Sequence, residues 1–579
     1  MRVANLFGSA LKETPAEAEL VSHQLLLRAG YVRPLGAGIY TALPLAWRAL
    51  RRIEAVLREE MDRIGGQELS MPVVHPAEVW QASGRWSEVG PEMVRLQDRR
   101  GADLVLAMTH EEVVAWHVAT EVQSYRQLPM LVYHLQTKFR DEPRSRGGLV
   151  RVREFVMKDS YSLDIDADGL QQQYDAHHDA YLTIFARCGL PVVHVDSDVG
   201  MMGGKVAREY MYVTDAGEDH LVLCDGCGYS ANREVADYGL PPAEGQAAPL
   251  EEVATPGAKT IADLAAFLGI EARQTAKVVL YVASFADEDR DDVVVMALVR
   301  GDMEANDIAV GRAVGAARLR AAEEAEIRPT GAVPGYASPV GLDRDGLLVV
   351  VDTAVAAAPA LVGGANREGY HLLHTACGRD YEPHVVATIA LAPEGALCAS
   401  CGATLQHARG VEVGNIFQLG TRYTQAVGAT FLDATGRERP VVMGSYGIGV
   451  GRLLACVAEE HHDEHGLCWP ASVAPFDVTL VALARKPAAL EQAGAIYDAL
   501  RAQGIEVLLD DRKKVSPGVK FAEADLRGMP LRVVVSDRGL KDGTVELKRR
   551  TGGEPWTVPL EEAVEAVVAE VQALRTADR

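Results

Sequence analysis

The chain has 579 residues, a length that suggests about three to five domains at roughly 100–200 residues each. Hydrophobic residues make up 48% and charged residues 24%, and 54 glycines and 27 prolines follow no period, which excludes collagen-like and low-complexity chains. The net charge of −23 argues against a non-specific polyanion binder, and apolar runs such as Val293 to Val299 fall far short of the ~18–20 residues of a membrane span.

The N-terminal MRVANLFGSALKETPAE has no sustained apolar stretch, so no secretory leader is expected. Ala46 to Ile64 carries apolar residues at helical spacing, and Gly65-Gly66 ends it. ELSMPVV, containing Pro72, reads as a strand. Met130 to Arg140 and Val152 to Tyr161 read as an antiparallel hairpin around a Gly/Arg-rich loop. Gln171 to Cys188 is helical in pattern. Leu240 to Pro249 (LPPAEGQAAP) reads as a linker. From Lys259 to about Thr388 a further α/β unit follows, rich in Ala, Val and acid. GVEVGNIFQLGTRYT and VVMGSYGIGVGRLL then resume the earlier pattern, so the middle reads as an insertion into one domain. From Phe476 strand and helix alternate: DVTLVALA, Pro487 to Arg501, IEVLLDD, a helix near Val519 to Arg527, and LRVVVS. This predicts a three-layer α/β domain with a mostly parallel or mixed sheet.

Charge is uneven. Residues 231–400 hold 13 basic and 25 acidic side chains, net −12, whereas 512–550 hold 11 and 5, net +6. A basic island in an acidic chain points to a localised anionic partner or to a solvated charged face. Eight cysteines are too sparse for a disulfide scaffold. Four form matched C-x-x-C-G turns, Cys224/Cys227 and Cys398/Cys401, at the two ends of the insertion. Two such knuckles suit a four-thiolate zinc site in a reducing compartment, with free thiols the alternative.

Two elements carry chemistry. In the first, Arg140 at a strand end would grip a phosphate oxygen through two parallel bonds. Glu142, two residues on, would share its face and accept from an adenine amino group. The hairpin partner would add Arg151 for a terminal phosphate and Phe155 as a flat surface for a purine. A charged surface hairpin with one core Phe would show the same residues. In the second, the glycines of Gly444-Ser-Tyr-Gly447-Ile-Gly449-Val-Gly451 leave one strand face bare for a ligand, and Arg452 begins a helix. The glycine spacing fits neither a Rossmann fingerprint nor a P-loop.

Together these elements resemble motifs 2 and 3 of class II aminoacyl-tRNA synthetases, and the long helix with ELSMPVV resembles motif 1. Thr109-His110-Glu111 is similar to the Thr-x-Glu element of prolyl-tRNA synthetases. FRDE, REFVMKDSYS, EVGNIFQLGTRYT, GSYGIGVGR, GLCWPASVAPFDV and KTIADLAAFLG are all similar to the bacterial-type enzymes.

The resemblance implies an α/β and α+β multidomain fold. Its parts would be an antiparallel-sheet catalytic core at 1–230 and 401–473, an inserted α/β editing domain at 231–400, and a C-terminal α/β anticodon-binding domain at 474–579. It implies that Thr109 and Glu111 hold the proline imino group, with Tyr423 and Ser445 lining that pocket. Arg140 would bind the substrate carboxylate and the ATP α-phosphate. Glu142 would read adenine between Phe155 and Arg452, Arg151 would meet phosphate, and Gln418 and Thr421 would touch ATP. Mg2+ would bridge the phosphates through ligands the sequence does not assign. Lys277, Asp352, His371 and the Gly335-x-x-x-Pro339 loop would form a site that hydrolyses mischarged alanyl-tRNA. The chemical need for it is plain, because alanine is smaller than proline and size alone cannot exclude it. The expected partners are the acceptor end and anticodon of tRNA(Pro), L-proline, ATP and a second copy of the chain, in the cytoplasm and with no membrane. A non-catalytic synthetase paralogue and a class II enzyme for another small amino acid are the alternatives.

Overall fold

The computed structural model describes residues 1–577 apart from 205, 242–246, 286, 288–289, 343–345 and 484–485. It divides into two compact units. One comprises 1–194, 199–218 and 410–579; the other comprises 195–198 and 219–409. The second unit therefore extends beyond the 231–400 expected for the insertion. The strands around both cysteine turns pack with it rather than with the core. Of the expected linker, 242–246 lie outside the described residues, as does Ala484 at the end of DVTLVALA.

In the first unit, α1 (Pro44–Arg63) starts on Pro44, whose missing N–H costs nothing in a first turn. Ala49, Ile53, Val56, Leu57 and Met61 recur at helical spacing and are buried. Gly65, at φ 87°, ends the helix. Of the expected motif 1 strand Glu68–Val74 only the two ends pair: Glu68, in Gln67–Glu68 (β1), runs parallel with Tyr133, and Val74 pairs antiparallel with Leu106. Residues 69–73 are not a strand. Pro72 has no N–H to give a ladder, and the carbonyls of Met71 and Pro72 accept from the side chains of Gln136, His75 and His110 instead.

Next come helix α2 (Glu111–Glu121) and the long hairpin of β2 (Met130–Phe139) and β3 (Glu154–Asp164). The hairpin is in register from Met130 opposite Leu163 to Phe139 opposite Glu154. Helix α3 (Ala167–Arg187) is capped by Asp166, whose carboxylate accepts from the Gly169 N–H, and strand β4 (Val206–Val213) follows.

The second unit holds a mixed five-stranded sheet built from β5 (Ala276–Ser284), β6 (Val293–Arg300), β7 (Arg318–Ala321), β8 (Leu347–Asp352) and, after β9 (Tyr370–Thr375) of a separate sheet, β10 (Val385–Ala387). The order is β7-β5-β6-β8-β10, with β6, β8 and β10 parallel.

The chain then completes the first unit's sheet with β11 (Gln406–Gly420) and β12 (Val442–Gly449), followed by α4 (Val450–Glu460). Within that unit the strands run β4-β11-β12-β3-β2-β1, antiparallel except at β1. Strand β3 is central and buried along most of its length. α1, α3 and α4 close a core with Tyr181, Phe185, Tyr210 and Tyr446 at its centre.

The C-terminal segment comprises β13 (Val478–Leu483), α5 (Pro487–Ala502), β14 (Val507–Asp510), α6 (Pro517–Arg527), β15 (Leu531–Ser536), β16 (Thr544–Arg549), β17 (Trp556–Pro559) and α7 (Ala563–Ala577). Its sheet order is β14-β13-β15-β16-β17, parallel across the first three strands and antiparallel beyond, which is the mixed sheet expected. No described helix is long and apolar enough to cross a membrane.

Candidate active site

Glu111 is the first residue of α2, and its carboxylate is gripped from both sides. The Thr109 hydroxyl donates to Oε2, and the Ser445 hydroxyl donates to Oε1 at 2.7 Å. All three residues are buried. Strand pairing brings Ser445 there: on β12 it sits between Phe417 of β11 and Tyr161 of β3. No cationic group lies within ion-pair distance of Glu111 among the described residues. The neighbouring Glu112 is paired instead, at 2.7 Å, with Arg85, whose guanidinium lies over the rings of Trp80 and Tyr423. Tyr423 is itself buried and donates to the Met202 carbonyl at 3.0 Å. The corner is thus a buried carboxylate with two hydroxyl partners, beside a Glu112–Arg85 pair that lies over aromatic rings.

A cleft next along the sheet is lined by Arg140, Glu142, Arg151, Phe155, Gly414, Asn415, Gly449 and Arg452. Arg140 donates to the Met108 carbonyl at 3.2 Å, with its guanidinium 5.3 Å from the Phe155 ring centre. Strand β2 ends at Phe139, so Arg140 and Glu142 do not alternate along a strand as the spacing suggested. The Glu142 N–H donates to the Arg140 carbonyl at 2.7 Å, a tight turn at the strand end. Arg151 donates to Glu142 at 2.8 Å and 3.0 Å and to Glu218 at 2.8 Å, so two expected ATP contacts hold each other. Arg452 donates to the carbonyls of Val150 and Glu412 at 2.8 Å and 2.7 Å, and to the Glu412 carboxylate at 3.2 Å. Gln418 and Thr421 are not among the lining residues. The Gln418 amide donates to Gln171 at 2.8 Å, and the Thr421 carbonyl accepts from Gln425 at 2.9 Å.

Four residues the motif reading passed over lie under the Thr109–Glu111 corner: His110, His134, Lys138 and Asp159, all buried. The signal was present. His134 and Lys138 are four apart on a strand of period two, hence on one face. Asp159 stands directly opposite His134 in the hairpin register.

In the second unit a cavity of ≈ 610 Å³ is lined by Lys277, His371, Gly335, Tyr336 and Lys259, among others. Lys277 comes from β5 and His371 from β9. The His371 Nδ1 lies 2.6 Å from the Thr255 hydroxyl, and burial lowers the imidazole pKa. Asp352 and Pro339 do not line the cavity. The Asp352 carboxylate is taken up by the backbone N–H groups of Ala354, Ile389 and Ala390 at 2.8–3.1 Å, so it caps a turn rather than facing a ligand.

The four expected cysteines converge in this unit. Neighbouring sulfurs lie 3.5–3.7 Å apart, and all four lie within 4.8 Å of one another. Each knuckle turns on a glycine with positive φ, Gly228 at 76° and Gly402 at 75°. Four thiolates ~2.3 Å from a tetrahedral zinc stand about 3.8 Å apart, so the cluster fits that ion.

Residues 94–461 match the family model of the tRNA synthetase class II core domain (G, H, P, S and T), and 477–570 match that of the anticodon binding domain. Proline–tRNA ligase of Salinispora tropica is 53% identical to this chain, covering 99% of it and 97% of the relative. This chain belongs to the proline–tRNA ligase family. The proline–tRNA ligases of Dehalococcoides mccartyi and Moorella thermoacetica are each 46% identical over 98–99% of both chains. A crystal structure of prolyl-tRNA synthetase from Cryptosporidium parvum, complexed with L-proline and AMP, shares the fold at 12% identity. Its TM-score is 0.57, over 98% of this chain and 78% of that one. Within a proline–tRNA ligase fold, Arg140 and Arg452 stand in one cleft, which does not favour a non-catalytic paralogue.

Proposed function

We propose that this chain activates L-proline with ATP at the Glu111–Arg140 site and transfers it to the 3′ end of tRNA(Pro). A proline carboxylate oxygen attacks the α-phosphorus of ATP, the bond to the bridging oxygen breaks, and pyrophosphate leaves. The terminal ribose hydroxyl of the tRNA then attacks the acyl carbon and AMP leaves. No side chain needs to act as nucleophile. Positioning and charge stabilisation carry the rate.

The observation that carries this reading is Glu111, buried between two hydroxyls without a cation of its own. A buried carboxylate calls for a positive partner, and the secondary ammonium of proline supplies one with two N–H donors. Ser445 and Tyr423 shape the pocket around the ring. Arg140 spans the substrate carboxylate and the α-phosphate, where negative charge builds up. Adenine lies between Phe155 and Arg452, against Glu142. Arg151 turns from Glu142 to phosphate when ATP enters, and Gln418, on β11, and Thr421, just beyond its end, meet the nucleotide. Mg2+ accompanies the phosphates.

The C-terminal domain, with its basic island, binds the anticodon arm. Motif 1 pairs two copies of the chain, which works in the cytoplasm. In the second unit, Lys277, His371 and Gly335 serve hydrolysis of alanyl-tRNA(Pro), while Asp352 and Pro339 support the walls. Cys224, Cys227, Cys398 and Cys401 hold one structural zinc ion.

Pyrophosphate exchange measured across the twenty amino acids tests the central reading. Proline should support exchange at least a hundredfold above alanine or glycine at equal concentration. Equal exchange with another small amino acid, or none with any, would overturn it.

A further inference from the structure

The reaction as described leaves the buried cluster beneath the Thr109–Glu111 corner without a task. We propose that Lys138 is a positioning residue for amino-acid recognition, acting through the imidazole of His110. This rests on the assignment of Glu111 to the substrate ammonium.

The geometry gives each proton at the His110 ring a place, and the same ammonium lies 3.1 Å from His134 Nε2. Lys138 has only donors, so at 2.5 Å from His110 its ammonium donates to Nδ1. Nδ1 therefore carries no proton, and Nε2–H donates to the Pro72 carbonyl at 2.9 Å. Burial and the Lys138 charge lower the His110 pKa to about 2, so the ring is neutral, as this arrangement requires. His110 is the residue between Thr109 and Glu111. Pinning its ring at both nitrogens fixes the backbone from which those two side chains project. The same Pro72 carbonyl accepts from His75 at 3.0 Å, so the anchor point is itself held.

Burial lowers the Lys138 pKa, and the Asp159 carboxylate paired with it opposes this and holds the ammonium in place. Burial would raise the Asp159 carboxyl, but the ammonium beside it overrides this and holds it well below the usual carboxylate range. Asp159 also accepts from His134 at 3.0 Å and from Tyr161 at 3.3 Å. The pair is neutral as a whole, so it orients the corner without supplying Glu111 with a counter-charge, which is left to the substrate. His110, His134 and Asp159 come close enough to ligate a metal ion. The Lys138 ammonium already fills the space between them, which makes this a protein-borne cation site rather than a metal site.

Two variants test the proposal. His110→Phe keeps a ring of similar size and removes both bonds. Lys138→Met combined with Asp159→Asn removes the bond to His110 without leaving a lone buried charge. In pyrophosphate exchange each should raise the KM for proline at least tenfold while the KM for ATP stays within twofold. A KM for proline within twofold of wild type in His110→Phe would overturn the proposal. So would parallel rises for proline and ATP, the signature of a site loosened as a whole. Glu111→Gln, run beside them, separates the two levels. If it leaves the proline KM unchanged, the assignment of Glu111 fails. If it raises that KM while His110→Phe does not, only the role of Lys138 fails.

Discussion

Glutamine at position 111 would keep the shape of Glu111 and one of its two acceptor oxygens but remove the charge proposed to meet the substrate ammonium. A hydrogen bond to a charged group is worth about 1.5–3 kcal/mol, so the KM for proline should rise by roughly 10- to 150-fold, with the KM for ATP unchanged. Steady-state exchange kinetics would check this. Arg140→Ala should act on the chemical step instead. Loss of one donor to the developing charge typically costs 10²–10³ in rate, so adenylate formation should fall by at least about a hundredfold in a protein that still unfolds cooperatively. Single-turnover assays with labelled ATP would show it. At this scale Thr109, Glu111, Arg140 and Arg452 could be singled out because each sits in a short, ordered motif, and the fold brings Thr109 to Glu111 and Arg140 to Arg452. Lys138 and Asp159 were not picked out, because their partnership exists only once two strands pair in register. Asp352 and Glu142 were legible as acids, but nothing in their spacing showed that backbone N–H groups or Arg151 would claim them.

Strand β3 shows what an element contributes beyond its motif residues. Its Lys158 donates to the Tyr181 hydroxyl at 2.6 Å, to Ser160 at 3.1 Å and to the Tyr446 carbonyl at 3.2 Å, and forms no ion pair with a carboxylate among the described residues. Burial lowers its pKa to about 7, against the opposing charge of Asp159. Between pH 7 and the ordinary lysine value of about 10.4, the unfolded chain therefore binds more protons than the folded one, and stability rises with pH across that window. The contribution is up to about 1.4 kcal/mol per pH unit, and Lys158→Met should remove it. Urea unfolding at pH 7.5 and 9.0 would reveal the difference in slope, and equal slopes would refute it. The hairpin, α1, α3 and the C-terminal alternation were readable from periodicity alone. The stretch 69–73 was misread as a strand because its apolar pattern does not disclose that side chains claim the Met71 and Pro72 carbonyls at its middle.

As a whole the molecule separates into a unit that carries the Arg140–Arg452 cleft and a unit that carries its own cavity, each with its own buried core. Hydrolysis and synthesis should accordingly come apart. Lys277→Ala should lower deacylation of preformed alanyl-tRNA(Pro) at least tenfold and leave prolylation within twofold. A parallel fall in both would tie the two activities together. Metal analysis should find one zinc per chain, lost in Cys227→Ser combined with Cys401→Ser. The middle of the chain reads as an insertion because the strand and helix patterns of the first region resume after it. The compact unit found there reaches past 231–400, because the knuckle strands look like those of the core until their packing is known.

The convergence of the two knuckles also bears on how the polypeptide assembles. Ser162 on β3 and Tyr446 on β12 meet across 284 residues, the kind of distant pairing that slows folding. Cys224 and Cys401 close 177 of those residues into a ring. Once the inserted unit has folded, the two central strands are separated by an effective loop of only about 100 residues. The entropy of bringing them together then falls by about 1 kcal/mol, roughly a fivefold gain in encounter. On the ribosome the insertion is complete before β12 emerges. The segment that interrupts the catalytic sheet in sequence thus acts as a clasp that shortens the search for it.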